Sequence, residues 1–373
     1  MTGFPDNRRF LFSAILGQDK LKQAYLANIV NPRIGGLLIS GPKGTGKSTV
    51  VHSVDSILPD RRSVDGCLFN CNPGLPDNFC SLCRDRKDHP AVTNRMRIVN
   101  LPLSCTEDRL IGSIDVEKLL KDGQKVILPG ILGQANGNIL YVDEVNLLPD
   151  HLVDDILDAS SSHWNTIERE GISVSHPADF VLVGTMNPEE GDLRPQILDR
   201  FPLCVKIETV KDPKLRAEIV ENNLMFEADP SAFRDRFRAS EEGVRQTIVS
   251  ARELLSGVVV DPALVVAVAA SCAALKVDGQ RPDIVIIKTA RTLAALNGRT
   301  AVDTGDILLA SELTLVHRTR DGGLLEPPSP EEIGNSFDRH LPKKVEQTQR
   351  TLVKQKVEVA AAAPGGQEVK KND

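Results

Sequence analysis

Aromatic residues are scarce in this 373-residue chain, at 4% of the total. Platforms for stacking nucleic-acid bases are therefore poorly supplied. Basic charge is not in excess either: 45 Lys and Arg face 51 Asp and Glu, a formal net charge of −6. That balance counts against nonspecific nucleic-acid binding, while leaving room for a local basic patch. No apolar run approaches the roughly 18 residues that span a bilayer. The opening MTGFPDNRRFLFSAI lacks the long apolar stretch of an export signal. The seven cysteines are an odd number, and four crowd between Cys67 and Cys83. Without an export signal, a reduced cytoplasmic chain is expected rather than a disulfide framework.

What is present is a composition of 41% apolar and 26% charged residues, that of a soluble globular protein long enough for two domains. GLLIS (36–40) reads as a short buried strand running into a glycine-rich loop, and Thr49 to Leu58 has helical spacing. Residues from about 60 to 94 are rich in Pro, Asp, Asn, Arg and Cys, lack periodicity, and read as a loop insertion. RIVN (97–100), NILYV (138–142), the apolar run before Asn187 and residues 203–207 read as further core strands, with a helix near 150–160. WNTIEREGISVSHP reads as two short strands turning at Glu170-Gly171. Apolar strands alternating with helices imply an α/β fold with a parallel sheet covered on both faces. From Pro213 onward the pattern becomes helical, with long apolar faces in DPALVVAVAASCAAL and PDIVIIKTARTLAAL. We expect an α/β domain over 1–215, a smaller helical domain over 216–340 and a disordered tail over 341–373, where Lys, Gln, Glu and Ala accumulate.

GPKGTGKS fits G-x-x-x-x-G-K-[ST] between a strand and a helix. Its residues Gly41, Pro42, Lys43, Gly44, Thr45 and Gly46 would turn backbone N–H groups inward around phosphates, with Thr49 following in the helix. Lys47 would reach the β- and γ-phosphates of a nucleotide, and Ser48 would ligate Mg²⁺. A second signal is Asp143-Glu144, just past an apolar run. Asp143 would hold Mg²⁺, and Glu144 would orient and polarise an attacking water. A third is Asn187, after another core strand, with an amide suited to a place between phosphate and water. Arg200, in LDRF, and Arg194 follow within thirteen residues. An arginine there can face a neighbouring subunit and act in trans as a finger on the transition state; the plainer alternative is a surface ion pair with Asp199.

The order of phosphate loop, Asp143-Glu144, Asn187 and LDRF resembles that of the AAA+ ATPases. Within them the chain resembles the smaller AAA+ ATPase subunit of magnesium chelatase, the enzyme that puts Mg²⁺ into protoporphyrin IX in chlorophyll biosynthesis. The phrases that carry the resemblance are FLFSAILGQDKLKQAYLANIVNPRIGGLLISGPKGTGKST, LPGILGQANGNILYVDEVNLLPDHLVDDILD, NTIEREGISVSHPADFVLVGTMNPEEGDLRPQILDRF and TARTLAALNGRTAV. The resemblance implies a five-stranded parallel sheet of order 5-1-4-3-2 and a helical lid. It also implies an insertion in the second helix, within 109–136, and a hairpin at about 164–176 ahead of the Asn187 strand. It further implies a sensor arginine in the lid, Arg281, or else Arg291, set to touch the γ-phosphate. Gly17-Gln18 matches the segment near the adenine, with Val30 to Ile34 completing that pocket. The family works as ATP-hydrolysing rings, a hexamer being expected, with a second AAA+ subunit carrying an integrin-type domain and a large porphyrin-binding subunit. Rival readings are a MoxR-like chaperone for another metal-insertion or maturation system, and a scaffold that binds ATP without hydrolysing it. A nucleic-acid motor is disfavoured, since the hairpin offers one Arg against two acidic residues.

The cysteine cluster departs from this picture. Cys67, Cys71, Cys80 and Cys83 follow C-x3-C-x8-C-x2-C, a ligand set for tetrahedral Zn²⁺. An Fe–S cluster uses the same ligands, and a redox pair is a third reading. Four thiolates leave no open position, so a metal here would be structural. His89 reads as a solvated loop residue rather than a ligand, and Cys105, Cys204 and Cys272 as small buried side chains.

Overall fold

The computed structural model describes residues 9–114, 127–169, 172–191 and 193–342. Among them the strands, in chain order, are β1 (Leu37–Ser40), β2 (Asp60–Val64), β3 (Ala91–Arg95), β4 (Ile98–Leu101), β5 (Gly112–Ile114), β6 (Ile127–Pro129), β7 (Ile139–Val142), β8 (Trp164–Arg169), β9 (Ile172–Pro177), β10 (Val181–Met186) and β11 (Leu203–Lys206). Five of these make one parallel sheet in the order β11-β1-β10-β7-β4. Counted among themselves they run 5-1-4-3-2, as expected. Every residue of β1, β7 and β10 is buried, because helices cover both faces and an apolar run is the only sequence that satisfies such strands. Ser40 pairs with Met186 and Val142 with Gly184, so the segments leaving β1, β7 and β10 emerge side by side at one edge. Open α/β sheets bind ligands at that edge.

Three antiparallel ribbons depart from the sheet. The segment expected as a loop insertion over 60–94 is closed at its base by β2 and β3, with Asp60 opposite Arg95 and Val64 opposite Ala91. These strands are mostly exposed, so DRRSV and AVTNR carry no apolar alternation to betray them. The second-helix insertion stands on β5 and β6, with Gly112 opposite Pro129. A Cβ at Gly112 would lie 2.9 Å from the Gly130 backbone nitrogen, and its φ of +107° also demands glycine. The remainder of that insertion, 115–126, lies outside the described residues. β8 and β9 form the hairpin, Trp164 opposite Pro177; the expected turn at Glu170-Gly171 also lies outside them.

Helices follow from Pro213. The helix Pro213–Ala228 runs through the division expected at 215/216, and we propose the connection 207–212 as the division instead. Asp212, Asp229 and Asp261 each cap a helix whose first residue is proline. Asp303 with Asp306, and Ser329 with Glu332, form capping boxes. The helices pack directly against the sheet. One hydrophobic core runs from Phe12 to Leu341, with Thr304–Leu315 packed on β11 and Arg281–Leu296 packed on the helix Asp19–Val30. Arg318 locks this joint from a fully buried position, donating to the carbonyls of Asp199, Phe201 (3.1 Å) and Pro202 (3.3 Å). His317 Nε2 lies 2.8 Å from the Phe201 carbonyl. No described helix is long and apolar enough to cross a membrane, and the expected tail falls outside the described residues from 343.

Candidate functional site

The loop after β1 is built by its glycines. A Cβ at Gly41 would come 2.7 Å from the Ile207 carbonyl, so only glycine fits beside the segment leaving β11. Gly44 and Gly46 adopt φ of +80° and +79°, which turns the loop around its own N–H groups. Lys47 Nζ is folded back on the loop, donating to the carbonyls of Gly41 (2.7 Å) and Pro42 (2.8 Å). An ammonium with only neutral carbonyl partners, beside converging N–H groups, is a cradle that fits a polyphosphate.

At the ends of β7 and β10 four groups meet. Tyr141 Oη donates to Asp143 Oδ1 at 2.7 Å, and Thr185 Oγ1 donates to the same oxygen at 2.6 Å. Ser48 stands beside the Tyr141 hydroxyl. Burial pushes the Tyr141 phenol up, so it stays a donor at neutral pH. His52, edge-on to Tyr141 at 5.3 Å, is pulled down by burial and stays neutral there. Two hydroxyl donors fix the Asp143 carboxylate as the acceptor-rich anion a hard cation requires, and Ser48 supplies a further oxygen, so the donor set fits Mg²⁺. Glu144 has φ of +52°, a costly conformation for a non-glycine residue. Its backbone N–H is held by Thr185 Oγ1 at 3.1 Å, which ties the turn to the next strand. Asn187 is buried and its side chain accepts from the Glu189 backbone N–H; Asn146 donates to the Asn187 carbonyl. Ser48, Asp143, Glu144 and Asn187 thus come together at one sheet edge. Sequence reasoning missed Tyr141 and Thr185, whose only signal is a polar group inside an otherwise apolar strand.

Beside the loop is a cavity of about 490 Å³, bordered by Ile15, Leu16, Gln18, Lys43, Gly44, Gly46, Thr49, Val210, Arg216, Ile219 and Asn223, among others. Gln18 does border it. Val30 to Ile34 do not: Val30 and Ile34 are buried in the core, and Asn31 donates to Thr292 Oγ1. The segment 208–223 completes the cavity instead. Gly17, with φ of +71°, sits where a Cβ would meet Leu215 at 2.9 Å, and so admits the helix Pro213–Ala228.

The arginines gather elsewhere, along the helix Asp150–Ser162. Arg194 pairs with Asp150, Arg200 with Asp154 and Asp158, and Arg281 Nη2 donates to Ser161 Oγ at 3.3 Å. Asp199, the partner considered for Arg200, pairs with Arg318. Burial, and then the charge of Arg200, lower the pKa of Arg281, as expected of two guanidiniums kept close together. Neither Arg200 nor Arg281 borders the cavity by the phosphate loop. Arg291, the other sensor candidate, donates to the carbonyls of Val258 and Leu255 at 3.2 Å each, which makes it a brace within the helical part.

The four clustered cysteines are also brought together, their sulfurs all within 4.8 Å of one another. All seven cysteines are free, and Cys105, Cys204 and Cys272 are buried as expected. His89 is half-buried and not among the clustered ligand atoms: its Nε2 is 2.7 Å from the Cys83 carbonyl and its ring packs on Phe79.

The sheet order, phosphate loop, acidic strand end and helical lid define the AAA+ class of P-loop NTPase. The magnesium chelatase, subunit ChlI family matches residues 11–196, and the AAA lid domain matches 266–338. A magnesium-chelatase subunit ChlI homolog of Methanocaldococcus jannaschii is 48% identical over 320 residues, 85% of this chain and 87% of that one. The chloroplastic magnesium-chelatase subunit ChlI of Oryza sativa subsp. japonica is 49% identical over 325 residues, 84% and 78% of the two chains. Among solved structures, a chain of the complex between subunits BchI and BchD of magnesium chelatase, based on single-particle cryo-EM, is 38% identical with a TM-score of 0.51, covering 88% of this chain and 99% of that one. The chain belongs to the magnesium chelatase ChlI family.

Proposed function

We propose that the chain is the ATP-hydrolysing, ring-forming motor subunit of a magnesium-chelatase-type complex, driving Mg²⁺ insertion into a porphyrin held by a larger partner. The observation that carries this reading is the separation of two half-sites. The phosphate loop, Asp143 and Glu144 stand at one sheet edge, while Arg200 and Arg281 both contact the helix Asp150–Ser162 and neither borders the loop cavity. The cavity's own guanidinium, Arg216, is held by the Val210 carbonyl, so a finger arginine for the phosphates would come from a neighbouring copy.

In this reading Lys47 and the loop N–H groups hold the β- and γ-phosphates, and Ser48 and Asp143 hold Mg²⁺. The ion, when bound, offsets charge on the phosphate oxygens. Glu144 orients water and accepts its proton, while Asn187 fixes the water against the γ-phosphate. The neighbour's Arg200 and Arg281 stabilise charge in the transition state and lose that contact once phosphate leaves, which moves one protomer against the next. The complex named for BchI and BchD supports a second, different chelatase subunit as a partner. The unpaired cysteines support a reducing compartment, which we read as the cytoplasm; the rice relative is named chloroplastic, which is said of that protein. A metal at the four cysteines takes no part in this chemistry, since a closed thiolate shell leaves no place for water.

Phosphate release by the unaltered chain and by Glu144→Gln is the direct test. Turnover that collapses in the variant, with nucleotide still bound, supports the motor; equal near-zero rates in both favour a scaffold. Affinity capture with Glu144→Gln, charged with ATP, should retain a porphyrin-binding subunit, whereas recovery of an unrelated client would favour a MoxR-like chaperone.

A further inference from the structure

The Cys67 and Cys80 sulfurs lie 3.9 Å apart, and all four sulfurs of the cluster lie within 4.8 Å of one another. A tetrahedral shell with Zn–S of about 2.3 Å spaces its sulfurs about 3.8 Å apart. An iron–sulfur cluster places several irons and sulfides between its thiolates and needs them wider. The spacing therefore selects a single ion. We propose that Cys67, Cys71, Cys80 and Cys83 hold a structural Zn²⁺ ion that seats the β2–β3 arm on the feet of the two other ribbons, β5–β6 and β8–β9.

The surroundings are those of a built site. Cys71, Cys80 and Cys83 are buried, and the Cys80 backbone N–H donates to Cys71 Sγ at 3.2 Å, which orients that sulfur. The cysteines belong to a small hydrophobic cluster apart from the main core. Within it they pack with Val64 and Phe69 of the arm, Ile114 and Ile127 of β5 and β6, and Ile167 and Val174 of β8 and β9. Three ribbons therefore share one footing, and the thiols are part of it. Phe69, between the first two cysteines, is fully buried and stacks on His176 of β9 at 4.2 Å. The Asn136 amide clamps the Phe69 carbonyl at 2.7 Å, and Asn165 of β8 meets His176 Nε2 at 2.9 Å. The arm's own strands are too exposed to form a core, the circumstance in which a metal supplies folding free energy instead. The inference stands apart from ATP hydrolysis: the ion fixes the base of the ribbons whatever they touch.

The test is elemental analysis of the full chain purified without added metal, joined to hydrogen exchange. One zinc per chain is expected, with Co²⁺ replacing it to give the absorption of a tetrahedral thiolate site. Cys80→Ser/Cys83→Ser should lose the metal and raise exchange in β8 and β9 at least tenfold, while basal ATPase stays within about twofold. Chelator-stripped wild-type protein should behave likewise and recover on adding Zn²⁺, which covers the case where the variant fails to fold. Phe69→Ala should keep the zinc yet loosen β9. Iron with acid-labile sulfide, a disulfide by mass spectrometry, or a metal-free chain with four titratable thiols would each overturn the site. Zinc loss that leaves β8–β9 exchange unchanged would overturn its seating role.

Discussion

Tyr141 shows what single residues contribute beyond the motif. It sits in the middle of an apolar strand, yet its hydroxyl and that of Thr185 both point at one Asp143 oxygen. Hydrogen bonds to a charged group are each worth about 1.5–3 kcal/mol. Tyr141→Phe should therefore lower ATP turnover about tenfold and weaken its Mg²⁺ dependence, read from rates across a Mg²⁺ titration. Glu144→Gln should cost about 10² to 10⁴ in turnover, the range for a lost general base, without loss of ATP binding measured by fluorescent nucleotide. Arg200→Ala should cost about 10³ or more. Its decisive readout is mixing: Arg200→Ala and Lys47→Ala chains, each inactive, should regain turnover together, because one supplies an intact cradle and the other an intact arginine. If mixing restores nothing while mixed rings form, the arginine does not act across subunits.

Among the elements, the connection between the short helix Pro195–Leu198 and β11 matters most. Arg318, far along the chain in a helix-end turn, holds the carbonyls of Asp199, Phe201 and Pro202, which flank Arg200. Arg318→Met would remove a donor from the carbonyls of Asp199 and Pro202, at a cost of about 1–3 kcal/mol each, while the Phe201 carbonyl keeps His317. The expected result is a marked fall in the thermal midpoint and loss of turnover comparable to Arg200→Ala, with ATP affinity retained in chains that remain folded. The strands of the main sheet were legible because burial on both faces demands continuous apolar runs. β2 and β3 were not, because exposed ribbon strands hold together through backbone pairing and a shared footing that no local pattern records.

For the whole molecule, the helical part and the sheet form a single hydrophobic body whose joint contains a titratable group. Burial, aided by the charges of Arg318 and Lys206, pulls His317 down to about 3. The folded state keeps this imidazole neutral, whereas the unfolded chain takes up a proton near pH 6.5. Stability from His317 is thus full above about pH 6.5 and is lost as pH falls toward 3, on the order of 2 kcal/mol between pH 7 and pH 5. Calorimetry should show the unfolding midpoint dropping over that interval, and His317→Gln should flatten the slope. A slope unchanged by the substitution would assign the pH dependence to other groups.

The sequence alone determined the phosphate cradle, the acidic strand end, Asn187 and the alternation of strands and helices. Those features are local: nucleotide chemistry requires particular residue types at short spacing, and buried strands require apolar runs. The tertiary structure alone decided that Arg200 and Arg281 meet at one helix and stay off the cavity lining, that residues 208–223 rather than Val30 to Ile34 close the cavity, and that four cysteines meet beneath two ribbons. Each depends on segments distant in the chain packing against one another, and side-chain periodicity carries no record of which surfaces will meet.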